Sequence, residues 1–239
     1  NGDGSSENPF KSIKKAFSVM KGNGTIVLNG IFKGSDNIGL TYSSSKMIDV
    51  DIIGNDAVID AEMTRTSMFT INKVNVRFIN LTFNNSAASS STYGSLINVV
   101  DADSLDIINS TFTNIYEQNG KSAAIYLKDW DVSLNITNSH FDNVVSHHSG
   151  GVIATDGVNQ GLSNAKNKIY IDNSTFSNIK AYSDLFVDSS NAFGAGADVT
   201  ITNTVFTNII GTQDTYSTFI EAKSLNMSNC VISNMDFNT

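Results

Sequence analysis

The chain has 239 residues, a net charge of −8, a pI near 4.7 and a single cysteine. Apolar residues make up 40% of it, enough to bury a sizeable core, while charged residues supply only 16%. An acidic chain whose only arginines are Arg65 and Arg77 is poorly suited to nucleic acid or an anionic membrane, and no run approaches the roughly 18 apolar residues of a membrane span.

The first predicted element is a helix. Ile13, Ala16, Phe17 and Met20 recur at i, i+3, i+4 and i+7, which makes one apolar face. Ser12 is the expected N-cap and Gly22 the expected C-cap. Residues 1–23 are read as a cap over the open end of the strand region, because an exposed strand edge invites pairing. Strand runs come next at Gly24–Phe32 and Met47–Ala61, and Met68–Asn72 opens a regular region.

From there one phrase occurs six times: VRFINLTFNN (76–85), LDIINSTFTN (105–114), LNITNSHFDN (134–143), IYIDNSTFSN (169–178), VTITNTVFTN (199–208) and LNMSNCVISN (225–234). Its first Asn is Asn80, Asn109, Asn138, Asn173, Asn203 and Asn229, at steps of 29, 29, 35, 30 and 26 residues. That spacing marks a repeat architecture, and the alternation within each unit marks strands. A second strand precedes each phrase, as at Leu96–Val100, Ala124–Lys128 and Val152–Thr155. The expected fold is all-β: a winding solenoid of about eight stacked coils over residues 24–239, with an N-terminal capping α-helix. Nothing caps the far end, and no initiator Met or signal sequence is present, so a piece of a longer protein is expected.

Within a coil, alternation places Leu105, Ile107 and Asn109 on the same inward side. Asn80, Asn109, Asn138, Asn173, Asn203 and Asn229 are thus expected to form a buried amide ladder, and the N-glycosylation sequons at Asn80, Asn109 and Asn173 to be inaccessible. Phe83, Phe112, Phe141, Phe176 and Phe206 are expected to stack inside. Cys230 falls at an inner turn, as a small buried hydrophobe.

These residues carry a resemblance. GDGSSENPFKSIKKAF followed by GNGTIVLNGIF resembles the opening of pectin-lyase-like right-handed parallel β-helices. NSTFTN and NSTFSN resemble repeats of adhesin-like surface proteins of methanogenic archaea and, more distantly, the repeats of bacterial polymorphic outer-membrane proteins. The resemblance spans nearly the whole chain. It implies a right-handed parallel β-helix and a surface location, while that fold hosts lyases, hydrolases and passive binders.

Enzymatic signals are sparse. Arg77 points outward from its strand, as a lyase base would, and also as an ordinary solvated residue would. Asp49 and Asp51, Asp101 and Asp103, and Asp129 and Asp131 are i, i+2 pairs whose spacing leaves open the two-carboxylate chemistry of glycosidases or simple turn roles. His147-His148 is a candidate metal pair without a fixed acidic or Cys partner. No catalytic or cofactor-binding residue is assigned. Asp101, Asp129, Asp156 and Asp188 each close the strand before a phrase, and would form a carboxylate column that Ca²⁺ could bridge; the alternative is solvated turn aspartates. Tyr126, Trp130 and Tyr170, with Tyr93, Tyr116, Tyr182 and Tyr216, offer stacking platforms for sugars or packing under loops.

The expected function is a non-catalytic, extracellular cell-surface module that binds a glycan or protein of a host or neighbouring cell. A polysaccharide lyase or hydrolase and a purely structural stalk are the alternatives.

Overall fold

The computed structural model describes residues 2–89, 96–120, 122–147, 150–155, 166–182, 186–188, 196–212 and 218–237. Its helix is α1 (Ile13–Val19). The Ser12 hydroxyl accepts the Lys15 N–H at 3.3 Å, as an N-cap does. The helix stops at Met20 rather than running to Gly22. Ile13 is fully buried and Phe17 stacks on Tyr42 with ring centroids 4.1 Å apart, so α1 packs onto the apolar interior.

Every later pass lies parallel on the one before it. The first three are long and bent: β1 (Gly24–Phe32), β2 (Leu40–Asp60) and β3 (Phe69–Ser86). The same path is then cut into triplets. These are β4 (Ile97–Asp101), β5 (Ser104–Ile108) and β6 (Thr111–Glu117); β7 (Ile125–Leu127), β8 (Ser133–Thr137) and β9 (His140–Ser146); and β10 (Ile153–Thr155), β11 (Lys168–Asp172) and β12 (Thr175–Ala181). The last two are β13 (Val187–Asp188), β14 (Asp198–Thr202) and β15 (Val205–Gly211), then β16 (Ile220–Glu221), β17 (Ser224–Ser228) and β18 (Val231–Phe237).

Pairing sorts these strands into three parallel sheets around one interior. Sheet I joins the starts of β2 and β3 to β4, β7, β10, β13 and β16. Sheet II joins β1 and the middles of β2 and β3 to β5, β8, β11, β14 and β17. Sheet III joins the ends of β2 and β3 to β6, β9, β12, β15 and β18. The result is a parallel β-solenoid of about six turns, fewer than the eight coils expected. The first passes, β1 and β2, lack the repeated phrase and pair irregularly, with register shifts at Asn29/Ile31, Ser43/Ile48 and Ile53/Ala57.

The phenylalanines stack as expected. Phe83, Phe112, Phe141, Phe176 and Phe206 are fully buried, with successive ring centroids 4.5, 4.4, 4.8 and 5.2 Å apart. Phe186 packs edge-on against both Phe176 and Phe206. Ile232 takes the next position after Phe206 but is 46% exposed, since no described coil lies above it.

The asparagines do not point inward. Asn80, Asn109, Asn138, Asn173, Asn203 and Asn229 all adopt left-handed backbone, φ 45–55°, and are exposed. A left-handed residue rotates the chain and restarts the alternation one position late. The inward side chain is therefore the next residue, giving buried Ser110, Ser139, Ser174 and Thr204. Each of these hydroxyls accepts an N–H from the coil below: Leu81 N–H to Ser110 at 3.2 Å, Ser110 N–H to Ser139 at 3.1 Å, Ser139 N–H to Ser174 at 3.1 Å and Ser174 N–H to Thr204 at 3.4 Å. Cys230 continues this row, with its Sγ 3.3 Å from the Ser228 carbonyl. The buried polar ladder is thus made of hydroxyls. The asparagines form a second ladder outside, where Asn109 Nδ2 donates to Asn80 Oδ1 at 2.7 Å and Asn173 Nδ2 to Asn138 Oδ1 at 2.8 Å. The sequons at Asn80, Asn109 and Asn173 are consequently on the surface.

Candidate functional site

The outward side of sheet II carries regular rows of side chains. Strand register places Thr25, Asp51, Arg77, Asp106, Asn135, Tyr170, Thr200 and Asn226 in one row along the solenoid axis. A parallel sheet spaces such rungs by about 4.8 Å. Two positions earlier along the strands runs a row with Asn75, Ser104, Ser133, Lys168 and Asp198, and two positions later one with Ile108, Thr137, Asp172 and Thr202. Alternation makes all three rows face outward, while Leu105, Leu134, Ile169 and Val199 between them are buried.

Side chains in these rows bond from coil to coil. Arg77 grips Asp51 with both arms of its guanidinium, Nε to Oδ1 and Nη2 to Oδ2 at 2.6 Å each. The hydrogen bond and charge of Asp51 raise the Arg77 pKa further. Arg77 is thus held as a cation by its pairing with Asp51. Asn75 Nδ2 donates to Asp49 at 2.9 Å, and Asn135 Nδ2 to Asp106 at 2.7 Å. The Thr202 hydroxyl and the Asn203 amide, at 2.6 and 2.8 Å, hold the Asp172 carboxyl below its usual range. Tyr170 stands among these groups, its ring 39% exposed on the strand that also carries Lys168 and Asp172.

The other expected aromatic platforms fare differently. Tyr126 is 3% exposed, so its ring faces packing and not a ligand. All three residues of its strand β7 are buried. Trp130 is 45% exposed at the corner between β7 and β8. Tyr93 and Tyr216 lie outside the described residues.

Asp188 falls out of the expected aspartate column. Inward Ile97, Ile125, Ile153 and Val187 share one rung position. Counted from it, Asp101 and Asp129 lie four residues on and Asp188 one. Asp188 accordingly pairs with Ala154 on one side and Glu221 on the other. Asp156 lies outside the described residues. Asp129 Oδ1 accepts the Trp130 N–H at 2.8 Å, a turn role. Among the described residues no group of three or more His, Cys, Asp or Glu side chains is placed to hold a metal ion. His147 Nε2 lies 2.8 Å from the Tyr116 hydroxyl; His148 is outside the described residues.

A buried carboxyl lies on the inner side of sheet III. Glu117 is fully buried, and its Oε2 accepts the Ser146 hydroxyl at 3.2 Å while its Oε1 accepts the Gly120 N–H. Burial pushes its pKa up to about 7, with Ser146 and backbone N–H groups opposing that rise. Sequence reasoning missed it. Restarting the alternation after left-handed Asn114 would have found it, since Ile115 and Glu117 are then the inward residues.

No described helix is long and apolar enough to cross a membrane. Compared with known proteins, the chain matches no family model, no curated protein and no solved structure.

Proposed function

We propose that the chain is a non-catalytic, adhesin-like module of the cell surface, and that the outward face of sheet II binds a glycan or protein of a host or neighbouring cell. The observation that carries this is the uninterrupted outward row from Asp51 to Asn226, which offers amide, hydroxyl and charged groups from rung to rung with the Tyr170 ring standing among them. A flat face with many weak donors and acceptors and one exposed aromatic suits an extended polar polymer, for which each rung adds a little affinity. The resemblance of the opening segment to pectin-lyase-like β-helices, and of NSTFTN and NSTFSN to archaeal adhesin-like repeats, supports the same reading.

The test is a glycan array probed with the labelled chain, beside binding of the chain to whole cells. A positive glycan should bind Tyr170→Ala about fivefold more weakly, since an aromatic contact contributes roughly 1 kcal/mol. Absence of binding to every glycan and to cells would leave the stalk reading in its place. Release of unsaturated or reducing ends from uronate polymers would replace it with the enzymatic one.

A further inference from the structure

We propose that the trough between α1 and the free edge of β1 is a docking site for an extended peptide strand with acidic flanks, taken up by β-sheet addition. Among the described residues β1 pairs along one edge only, with β2. Beside it runs a cavity of about 800 Å³. One wall is β1 itself; the other is the Ala16, Val19 and Met20 side of α1, and Pro9 and Phe10 of the N-terminal arm also line it. A strand edge beside a helix offers an incoming strand two kinds of contact. Free N–H and C=O groups supply main-chain hydrogen bonds, and the trough takes alternate side chains.

Within Gly24–Asn29 no charge, proline or register shift discourages such pairing. GTIVLNGIF contains no charge and no proline, the usual devices that blunt an edge, and Val27 and Ile31 are 65% and 67% exposed. The register shift at Asn29/Ile31 limits the straight run to Gly24–Asn29, which sets the length of the partner segment.

Charge selects the flanks. Residues 1–35 hold Lys11, Lys14, Lys15, Lys21 and Lys33 against Asp3 and Glu7, a local charge of +3, which leaves −11 on the remainder. Lys14 and Lys33 are paired with Asp36 and Asp60. Lys11, Lys15 and Lys21 are exposed and make no ion pair among the described residues, and Lys21 lines the trough. The fitting segment therefore carries β-branched or apolar residues at its centre and carboxylates at its ends. A second copy stacking end-on would have to displace α1, whose Ile13 is fully buried; a single strand would not. This edge is separate from the rungs around Tyr170, so binding at one does not depend on the other.

The experiment uses the whole chain and a fluorescein-labelled peptide, Asp-Asp-Val-Thr-Ile-Thr-Val-Asp-Asp, followed by fluorescence anisotropy at low and high salt. Two control peptides replace each Asp by Lys, or methylate alternate backbone nitrogens. The acidic peptide should bind roughly tenfold more tightly than the Lys peptide at low salt, with the difference shrinking at high salt. The methylated peptide should not bind. Val19→Glu and Lys21→Glu, both at exposed positions, should weaken binding while circular dichroism shows the fold retained. No saturable binding, equal binding of the acidic and Lys peptides, binding of the methylated peptide, or unchanged affinity in both variants would each overturn the proposal. So would concentration-dependent self-association without peptide binding, which would assign the edge to a second copy.

Discussion

Phe112 and Phe141 are 29 residues apart in the chain, yet their rings lie 4.4 Å apart with planes only 5° from parallel. That contact repeats the coil spacing in side-chain form. It exists because the same residue type falls at the same point of two successive coils and both are closed to solvent. Stacked identical side chains tie each coil to the next without help from the loops between them.

Phe141→Ala should therefore cost about 3–5 kcal/mol, as the loss of a fully buried aromatic with rings on both sides. Urea denaturation measures it. A loss below about 1 kcal/mol would contradict the packing of the stack.

The corner asparagines are chosen for backbone as much as for their amides. Asn109 sits at φ 48°. Asn109→Gly should change stability by no more than roughly 1 kcal/mol, because glycine enters this region freely and only the bond to Asn80 is lost. Asn109→Val should cost about 1–3 kcal/mol from strain at a β-branched residue. Equal effects of the two variants in parallel denaturation curves would show that the left-handed conformation is not what the position requires.

Glu117 predicts a pH dependence. Its pKa is raised from an ordinary 4.5 to about 7 in the folded chain. The folded state then holds a proton that the unfolded state has released. Stability is fully present below about pH 4.5 and declines as pH rises to about 7, by roughly 2–4 kcal/mol for this group. Glu117→Gln should remove that part of the slope. The check is the difference between wild-type and variant unfolding free energies from pH 4 to 8, so that other titrating groups cancel; a constant difference would mean that Glu117 does not titrate in this range.

Calcium should not stabilise the chain through the aspartate set. Asp188 lies on the Ala154 rung, apart from Asp101 and Asp129, and among the described residues no group of three or more His, Cys, Asp or Glu side chains is placed to hold a metal ion. Thermal midpoints in millimolar Ca²⁺ and in excess chelator, at fixed ionic strength, should coincide. A rise with Ca²⁺ would signal preferential binding to the folded state and require oxygen ligands elsewhere on the chain.

The exposed ion pair between Arg77 and Asp51 should matter little to stability. Their side chains are 52% and 22% exposed, and such pairs contribute about 0–1 kcal/mol. Arg77→Ala should lower the denaturation midpoint only slightly, whereas a loss beyond about 2 kcal/mol would show that the pair anchors sheet II.

Periodicity along the chain was sufficient by itself to establish the parallel coils, the helix over Ile13–Val19 and the buried phenylalanines, because period and residue type recur wherever the same environment recurs. Where side chains point beyond a corner depended on the backbone. A left-handed Asn109 turns the chain and shifts the alternation, so the hydroxyl of Ser110 went inside and the amide outside. The same shift after Asn114 buried Glu117. Lateral neighbours were likewise decided in three dimensions. Ile97, Ile125, Ile153 and Val187 set the register by meeting in the interior, and that separated Asp188 from Asp101 and Asp129, although all three close strands in the sequence. Tyr126 reads in the sequence as a possible stacking platform, and only the folded chain shows its ring out of solvent. Alternation is a property of one strand, so it survives in sequence; register is a relation between distant segments, and it exists only once the coils have closed on a shared core.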